Sequence, residues 1–248
     1  MALNADFDLS RRRTLVGLGV LPMSGLTSAK NVAPLPSVDF GYDYRDYWSP
    51  ELSDARARRK LDRGTVPAID KDVTAAERII EAAPSDSALS VAKYFADLQD
   101  VGSTGEKFNQ RWKTFENPVI VWFFHSTKTK PNGDCTSWCA AFISWSLERA
   151  GRPSKHSASS QAYLSYGKEA STPTAGDIAV FQNVSDPSQG HVALFLSETS
   201  DSIEIIGGNQ GSFGEIPSCP KGYPISKIGR ETRPKVGAYQ KLVAIRRA

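Results

Sequence analysis

Hydrophobic residues in the second half of the chain recur in short blocks that are separated by turn-forming residues. Four of these blocks predict β-strands, at residues 177–181, 191–196, 202–206 and 241–246. In the second block His191, Ala193 and Phe195 share one face, because side chains alternate across a strand. We expect these strands to form an antiparallel sheet.

Longer blocks with helical spacing precede the strands. They lie at residues 50–63, 72–83, 87–98 and 138–148. The last block is the most apolar; it follows the cap-forming residues Asp134, Thr136 and Ser137 and stops just before Gly151. This pattern predicts a buried helix with Cys139 in its first turn, packed across the sheet.

Helices followed by strands predict an α+β fold, in which the Cys139 helix packs on an antiparallel sheet. We expect three segments along the chain. Residues 1–29 form a leader, residues 30–85 form a linker and a helical extension, and residues 86–248 form the domain that carries the chemistry.

Three polar residues stand at the ends of predicted elements: Cys139 opens a helix, His191 opens a strand, and Asn209 follows the next strand. A helix N-terminus and a nearby imidazole both lower the pKa of a thiol, and a third polar group orients the imidazole. Each residue taken singly is more often structural, for example a small core cysteine. Together they predict a thiol nucleophile site in the order of papain-type hydrolases.

Several short stretches resemble bacterial and phage cell-wall cysteine hydrolases of the CHAP and NlpC types, which have a papain-like fold. They are Trp-Cys-Ala-Ala-Phe at 138–142, Pro-Thr-Ala-Gly-Asp-Ile at 173–178, Gly-His-Val at 190–192, Gly-Gly-Asn-Gln at 207–210, and the upstream Glu-Asn-Pro at 116–118. The resemblance covers roughly residues 89–210. One departure is Gly207, which stands where many CHAP domains have a glutamate.

The resemblance implies a cysteine peptidase or amidase that cuts the peptide part of peptidoglycan without a metal or organic cofactor. Cys139 would be the nucleophile, His191 the general base and Asn209 the orienting residue. The Cys139 N–H would stabilise the oxyanion, with Asn132 or Gln161 as the second donor. Two alternatives remain: an inactive module that binds wall peptide, and a secreted antibacterial amidase toxin with an immunity protein as partner.

The N-terminus predicts export. Arg11, Arg12 and Arg13 precede a weakly apolar run at 15–26, which is broken by glycines and is too short to span a bilayer. This is typical of a signal peptide of the twin-arginine type, with cleavage after Ala29, and places the mature protein in the periplasm or at the cell wall. A disordered basic tail is the alternative.

The net charge limits the possible binding partners, and the cysteines allow several states. The 248 residues carry a net charge of +3, which is too balanced to predict nucleic-acid binding. If Cys139 stays reduced, Cys135 and Cys219 either form a disulfide or are both free. A zinc site is a further alternative; its ligands would be Cys135, Cys139 and His125 or His156.

Overall fold

The computed structural model describes residues 68–129, 131, 133–211, 214, 219 and 224–247. These all belong to one compact unit that spans residues 34–248. The predicted leader at 1–29 and the predicted helix at 50–63 lie outside the described residues. None of the helices within the described ranges is long and apolar enough to cross a membrane.

The described chain is α+β, as predicted. The α-helices are α1 (Asp70–Ala82), α2 (Ala88–Ala96), α3 (Pro118–Phe123) and α4 (Cys139–Arg149). The strands are β1 (Lys168–Glu169), β2 (Ile178–Asn183), β3 (Gly190–Glu198), β4 (Ser202–Gln210), β5 (Lys227–Pro234) and β6 (Gln240–Arg247). They form one sheet in the order β1-β6-β2-β3-β4-β5, and every neighbouring pair is antiparallel.

The sequence pattern located most of these elements to within a few residues. It missed β5, whose sequence Lys-Ile-Gly-Arg-Glu-Thr-Arg-Pro is largely polar, because β5 is an edge strand held by its pairing with β4. It also missed the short helix α3. That helix begins where the Asn117 side chain accepts a hydrogen bond from the Val119 N–H at 2.9 Å and Pro118 occupies the first turn.

The larger core lies between the helices and one face of the sheet, which we call the front face. Helix α4 is buried from Cys139 to Leu147, and Phe142 and Trp145 pack edge-on or tilted against Phe95 of α2 and Phe123 of α3. Helix α1 contributes to the same core. The predicted boundary at residue 86 therefore falls between two helices, α1 and α2, that share one core.

The opposite side of the sheet, the back face, carries a second and smaller apolar cluster. Its buried members are Ala179, Phe181, Ala193, Phe195, Ile203, Ile205 and Ile245. Because Phe181 lies directly opposite His191 in the β2–β3 pairing, the His191 side chain belongs to this back face. The strand pattern predicted this grouping of His191 with Ala193 and Phe195.

Gly208 allows α4 to approach the sheet closely. A Cβ atom at this position would overlap the Trp138 ring and would lie 2.9 Å from the Phe142 Cβ. Any side chain there would push the start of α4 away from β4. The glycine therefore helps to fix the position of Cys139 relative to the strands.

Candidate active site

Cys139 is the first residue of α4 and is only 4% exposed. The backbone N–H groups of Val192, Ala140 and Cys139 itself lie close enough to its sulfur to favour the thiolate. Two of these donors belong to the first turn of the helix, and the third belongs to β3. Since Val192 directly follows His191, the thiol lies against the backbone from which the imidazole projects. The structure thus places Cys139 next to the strand β3 that carries His191; a direct pairing of the two side chains stays a prediction.

His191 is also 4% exposed, and its ring is surrounded on the back face. The Phe181 ring is tilted against it with the centroids 6.4 Å apart. The Gln210 Nε2 atom lies 3.4 Å from the His191 Nε2 atom. The polar side chain next to the imidazole is therefore that of Gln210.

The Asn209 side chain contacts a different partner. Its Oδ1 accepts a 2.8 Å hydrogen bond from the Ser226 hydroxyl. Asn209 has a φ of +60°, and the register between β4 and β5 shifts between Gly207 and Gln210. This irregularity has the character of a β-bulge, which adds one residue and turns the following side chain to the other face.

The bulge explains why Gln210 and not Asn209 meets the imidazole. In a regular strand Gly207 and Asn209 would share the back face with His191 and Ala193. Instead the Gln210 Nε2 atom lies 3.2 Å from where a Gly207 Cβ would stand, a position that is also close to Ala193. We expected β4 to end at Ile206, but the strand continues through this bulge to Gln210.

Burial dominates the acid–base properties of the pair. Loss of solvation raises the pKa of the Cys139 thiol, although the three backbone N–H groups and the charge of Arg233 act in the opposite direction. Loss of solvation, together with Arg233, holds the pKa of His191 well below its ordinary value of 6.5. We expected a thiol with a lowered pKa, and burial acts against that expectation. The shifts favour the uncharged form of each group.

A buried arginine fixes the loop that leads into α4. Arg111 is 1% exposed and donates hydrogen bonds to the carbonyl oxygens of Asp134, Thr136 at 2.8 Å and Pro224 at 3.2 Å. The Asp134 carboxylate accepts a 3.0 Å bond from the Asn117 N–H. These contacts hold the segment before Cys139 rigidly, and no local pattern in the sequence singled out Arg111.

The predicted caps of α4 are wrong. The N-cap residue is Trp138, and no side chain caps the helix. Asp134 is bonded to Asn117, and the backbone of Asp134 and Thr136 is bonded to Arg111. With no capping side chain in place, the first amides of the helix remain close to the Cys139 sulfur, where they favour the thiolate.

The upstream Asn-Pro stretch has a structural role. Besides capping α3, the Asn117 side chain donates to the carbonyl oxygens of Phe108 and Gln110, both at 2.7 Å. It is completely buried. Asn117 therefore ties α3 to the loop that carries Arg111, and through Asp134 to the segment before the nucleophile.

Cys135 and Cys219 form a disulfide, with their Cα atoms 5.5 Å apart, and Cys139 is free. This decides between the two predicted states of these cysteines. It also removes Cys135 from the alternative zinc site, because a disulfide sulfur is not a thiolate ligand. His156, another member of that set, bonds to Glu148 at 2.9 Å.

Of the two candidates for a second oxyanion donor, Asn132 lies outside the described residues. The Gln161 Nε2 atom donates to the Phe181 carbonyl at 2.9 Å and to the Ser160 hydroxyl at 3.0 Å. It also lies 2.6 Å from where a Gly190 Cβ would stand, so the glycine makes room for it beside His191. Gln161 is thus engaged in holding the start of β3.

Comparison with known proteins agrees with this geometry. Residues 130–209 match the family model of the CHAP domain. No curated protein and no solved structure matches the chain. The matched segment contains the loop before α4, Cys139, His191 and the bulge at Asn209, and it ends one residue before Gln210. Over residues 130–209 the chain is therefore similar to the CHAP domain, which agrees with the resemblance to cell-wall hydrolases seen in its sequence.

Proposed function

We propose that the protein is an exported cysteine amidase or endopeptidase with a papain-like arrangement, which cleaves an amide bond in the peptide part of peptidoglycan. One observation supports this most strongly. Within the CHAP match, the Cys139 thiol lies at the start of a buried helix, close to the backbone of Val192, the residue after His191. A thiol and an imidazole carried by neighbouring elements in this way could act as a nucleophile and its base.

The proposed reaction has two steps. The Cys139 sulfur attacks the amide carbonyl carbon while His191 takes the thiol proton, and the helix N-terminus stabilises the oxyanion. His191 then protonates the leaving amine, and a thioester remains on Cys139. In the second step His191 activates a water molecule that hydrolyses this thioester. Because burial favours the uncharged form of both groups, we expect the thiol proton to leave as the sulfur attacks.

We assign the orienting role to Gln210. Its Oε1 atom is buried and has no hydrogen-bond partner, while its Nε2 atom faces the ring. Rotation of the amide by a half turn would place Oε1 against the ring, where it accepts the His191 Nε2–H. The other ring nitrogen, Nδ1, then lacks a proton and can accept the one from Cys139.

The roles of Gln210 and Asn209 can be separated by substitution. We expect Gln210→Ala to lower kcat/KM by on the order of a hundredfold to a thousandfold, because the imidazole loses its orienting partner. Asn209→Gly removes the side chain but permits a φ of +60°, so it should retain most of the activity. Turnover of a purified wall peptide measures both. If Asn209→Gly is as impaired as Gln210→Ala, the orienting role returns to Asn209.

Mass spectrometry of muropeptides tests the reaction itself. We would digest purified peptidoglycan with the mature protein, using Cys139→Ala as the control, and identify the new amine and carboxyl ends. Products that depend on Cys139 support the proposal and name the bond. Tight binding without products would indicate the inactive wall-peptide module. If products form only from the peptidoglycan of other bacteria, and an immunity protein inhibits the reaction, the protein is an antibacterial toxin.

Export rests on the N-terminal sequence and on the disulfide. A bond between Cys135 and Cys219 is stable in an oxidising compartment, which fits the periplasm or the cell wall. We expect that replacing Arg11, Arg12 and Arg13 together by Lys leaves precursor in the cytoplasm, because the twin-arginine route reads the arginines as an address. Fractionation and immunoblotting measure this. Normal export of the triple variant, with arrest when the general secretory route is blocked, would exclude the twin-arginine route.

A further inference from the structure

We propose that Arg233 is a positioning residue for the Cys139–His191 pair: its guanidinium, held in place against Phe181, supplies the fixed positive charge of the site. This inference rests on the proposed function, since it concerns the same pair. Arg233 lies outside the CHAP match, in the edge strand β5 that the sequence pattern did not reveal. Nothing in the local sequence around it indicates a role.

The location of Arg233 follows from strand register. It pairs with Ile203, which belongs to the back-face cluster, so its side chain projects on the same side of the sheet as His191. Its guanidinium carbon lies 5.6 Å from the centroid of the Phe181 ring, a cation–π contact. Phe181 in turn packs against His191 with ring centroids 6.4 Å apart. A continuous series of side-chain contacts therefore runs from Arg233 through Phe181 to the imidazole.

The guanidinium is held at both ends. One nitrogen donates to the Gln240 amide oxygen at 2.8 Å, and the other pairs with Glu231 at 2.9 Å. Gln240 is itself bonded to Asn183 at the end of β2, at 2.8 Å. The Arg233 side chain is only 18% exposed, and its Nε atom is buried without a hydrogen-bond partner. Because this arginine is fixed and partly desolvated, water screens its charge less than that of a solvated surface arginine.

The charge of Arg233 acts on both members of the pair. It opposes protonation of His191 and favours ionisation of Cys139, so it lowers the pKa of each group. For transfer of a proton from thiol to imidazole the two effects oppose each other. The net effect of the Arg233 charge is therefore that His191 stays unprotonated down to a lower pH. The neighbours of His191 from β2 and β4, Phe181 and Gln210, carry no charge, and Glu231 is paired with Arg233.

A charge effect and a packing effect predict different results for Arg233→Gln. Loss of the charge should raise the pKa of both groups, so both titrations move to higher pH. Loosening of the packing would instead expose both groups to water. The pKa of His191 would then rise and that of Cys139 would fall, because burial shifts the two in opposite directions. The direction of the Cys139 shift therefore separates the two explanations.

We would follow His191 by NMR of its ring in the full-length mature protein, and Cys139 by its alkylation rate against pH. For Arg233→Gln we expect the His191 midpoint to move to higher pH, and the alkylation rate on the rising limb to fall by about threefold or more. Arg233→Lys should restore both, because the charge is kept. Arg230→Gln is the matched control, since Arg230 lies on the same strand but pairs with Asp97 at 3.0 Å.

The proposal is overturned if neither midpoint moves, if the two move in opposite directions, or if Arg233→Lys behaves like Arg233→Gln. Neither measurement requires hydrolysis. A wild-type protein that fails to digest peptidoglycan would therefore refute the proposed function while the role of Arg233 was still decided by the titrations.

Discussion

Cys139→Ala will abolish amide hydrolysis, and His191→Ala will do nearly the same. Each substitution removes one half of a unit that works only when the thiol and the imidazole are together, so we expect rates to fall on the order of ten-thousandfold or more. For the same reason the double variant should be hardly slower than either single one. The measurement is product release from purified wall peptide, by chromatography and mass spectrometry.

Folding of these variants has to be checked because both residues are buried. Cys139→Ala removes only the buried thiol group and should lower the free energy of unfolding by about 1 kcal/mol, so the protein stays folded. Its melting temperature, compared with that of the wild type, provides the control. Hydrolysis by folded Cys139→Ala at the wild-type rate would rule out the thiol mechanism.

Loss of the disulfide will cause the largest loss of stability. It closes a loop of 84 positions between Cys135 and Cys219, and the chain-entropy argument gives roughly 4 kcal/mol for a loop of this length. We expect Cys135→Ser/Cys219→Ser to unfold at a clearly lower urea concentration and with a steeper transition, because the denatured chain is no longer kept compact by the crosslink. Cys139→Ala is the matched control, since it also removes a cysteine but no crosslink.

Addition of a reductant offers a second comparison. It should destabilise the wild type to the level of the double serine variant and leave that variant unaffected. Because Cys135 lies four residues before the nucleophile, we also expect the reduced protein to lose activity at temperatures where it is still partly folded. If wild type and variant unfold at the same urea concentration, the bond does not stabilise the native state.

Local pattern in the sequence was sufficient for much of the fold. The spacing of apolar residues located α4 and the strands β2, β3, β4 and β6, because burial on one or both faces imposes its period on the sequence. The same reasoning placed Cys139 at a helix start and His191 at a strand start. These two positions are local properties, and the structure confirms the element start at each of them.

The sequence by itself therefore determined the α+β architecture, the elements that carry Cys139 and His191, and the resemblance that the CHAP match confirms. Tertiary structure decided the rest. A left-handed Asn209 shifts the register and places Gln210 beside the imidazole, Arg111 fixes the loop before the nucleophile, and Arg233 reaches Phe181 from the edge strand. These contacts join residues far apart in the chain. Register, burial and charge at a site depend on such partners, and no local period in the sequence encodes them.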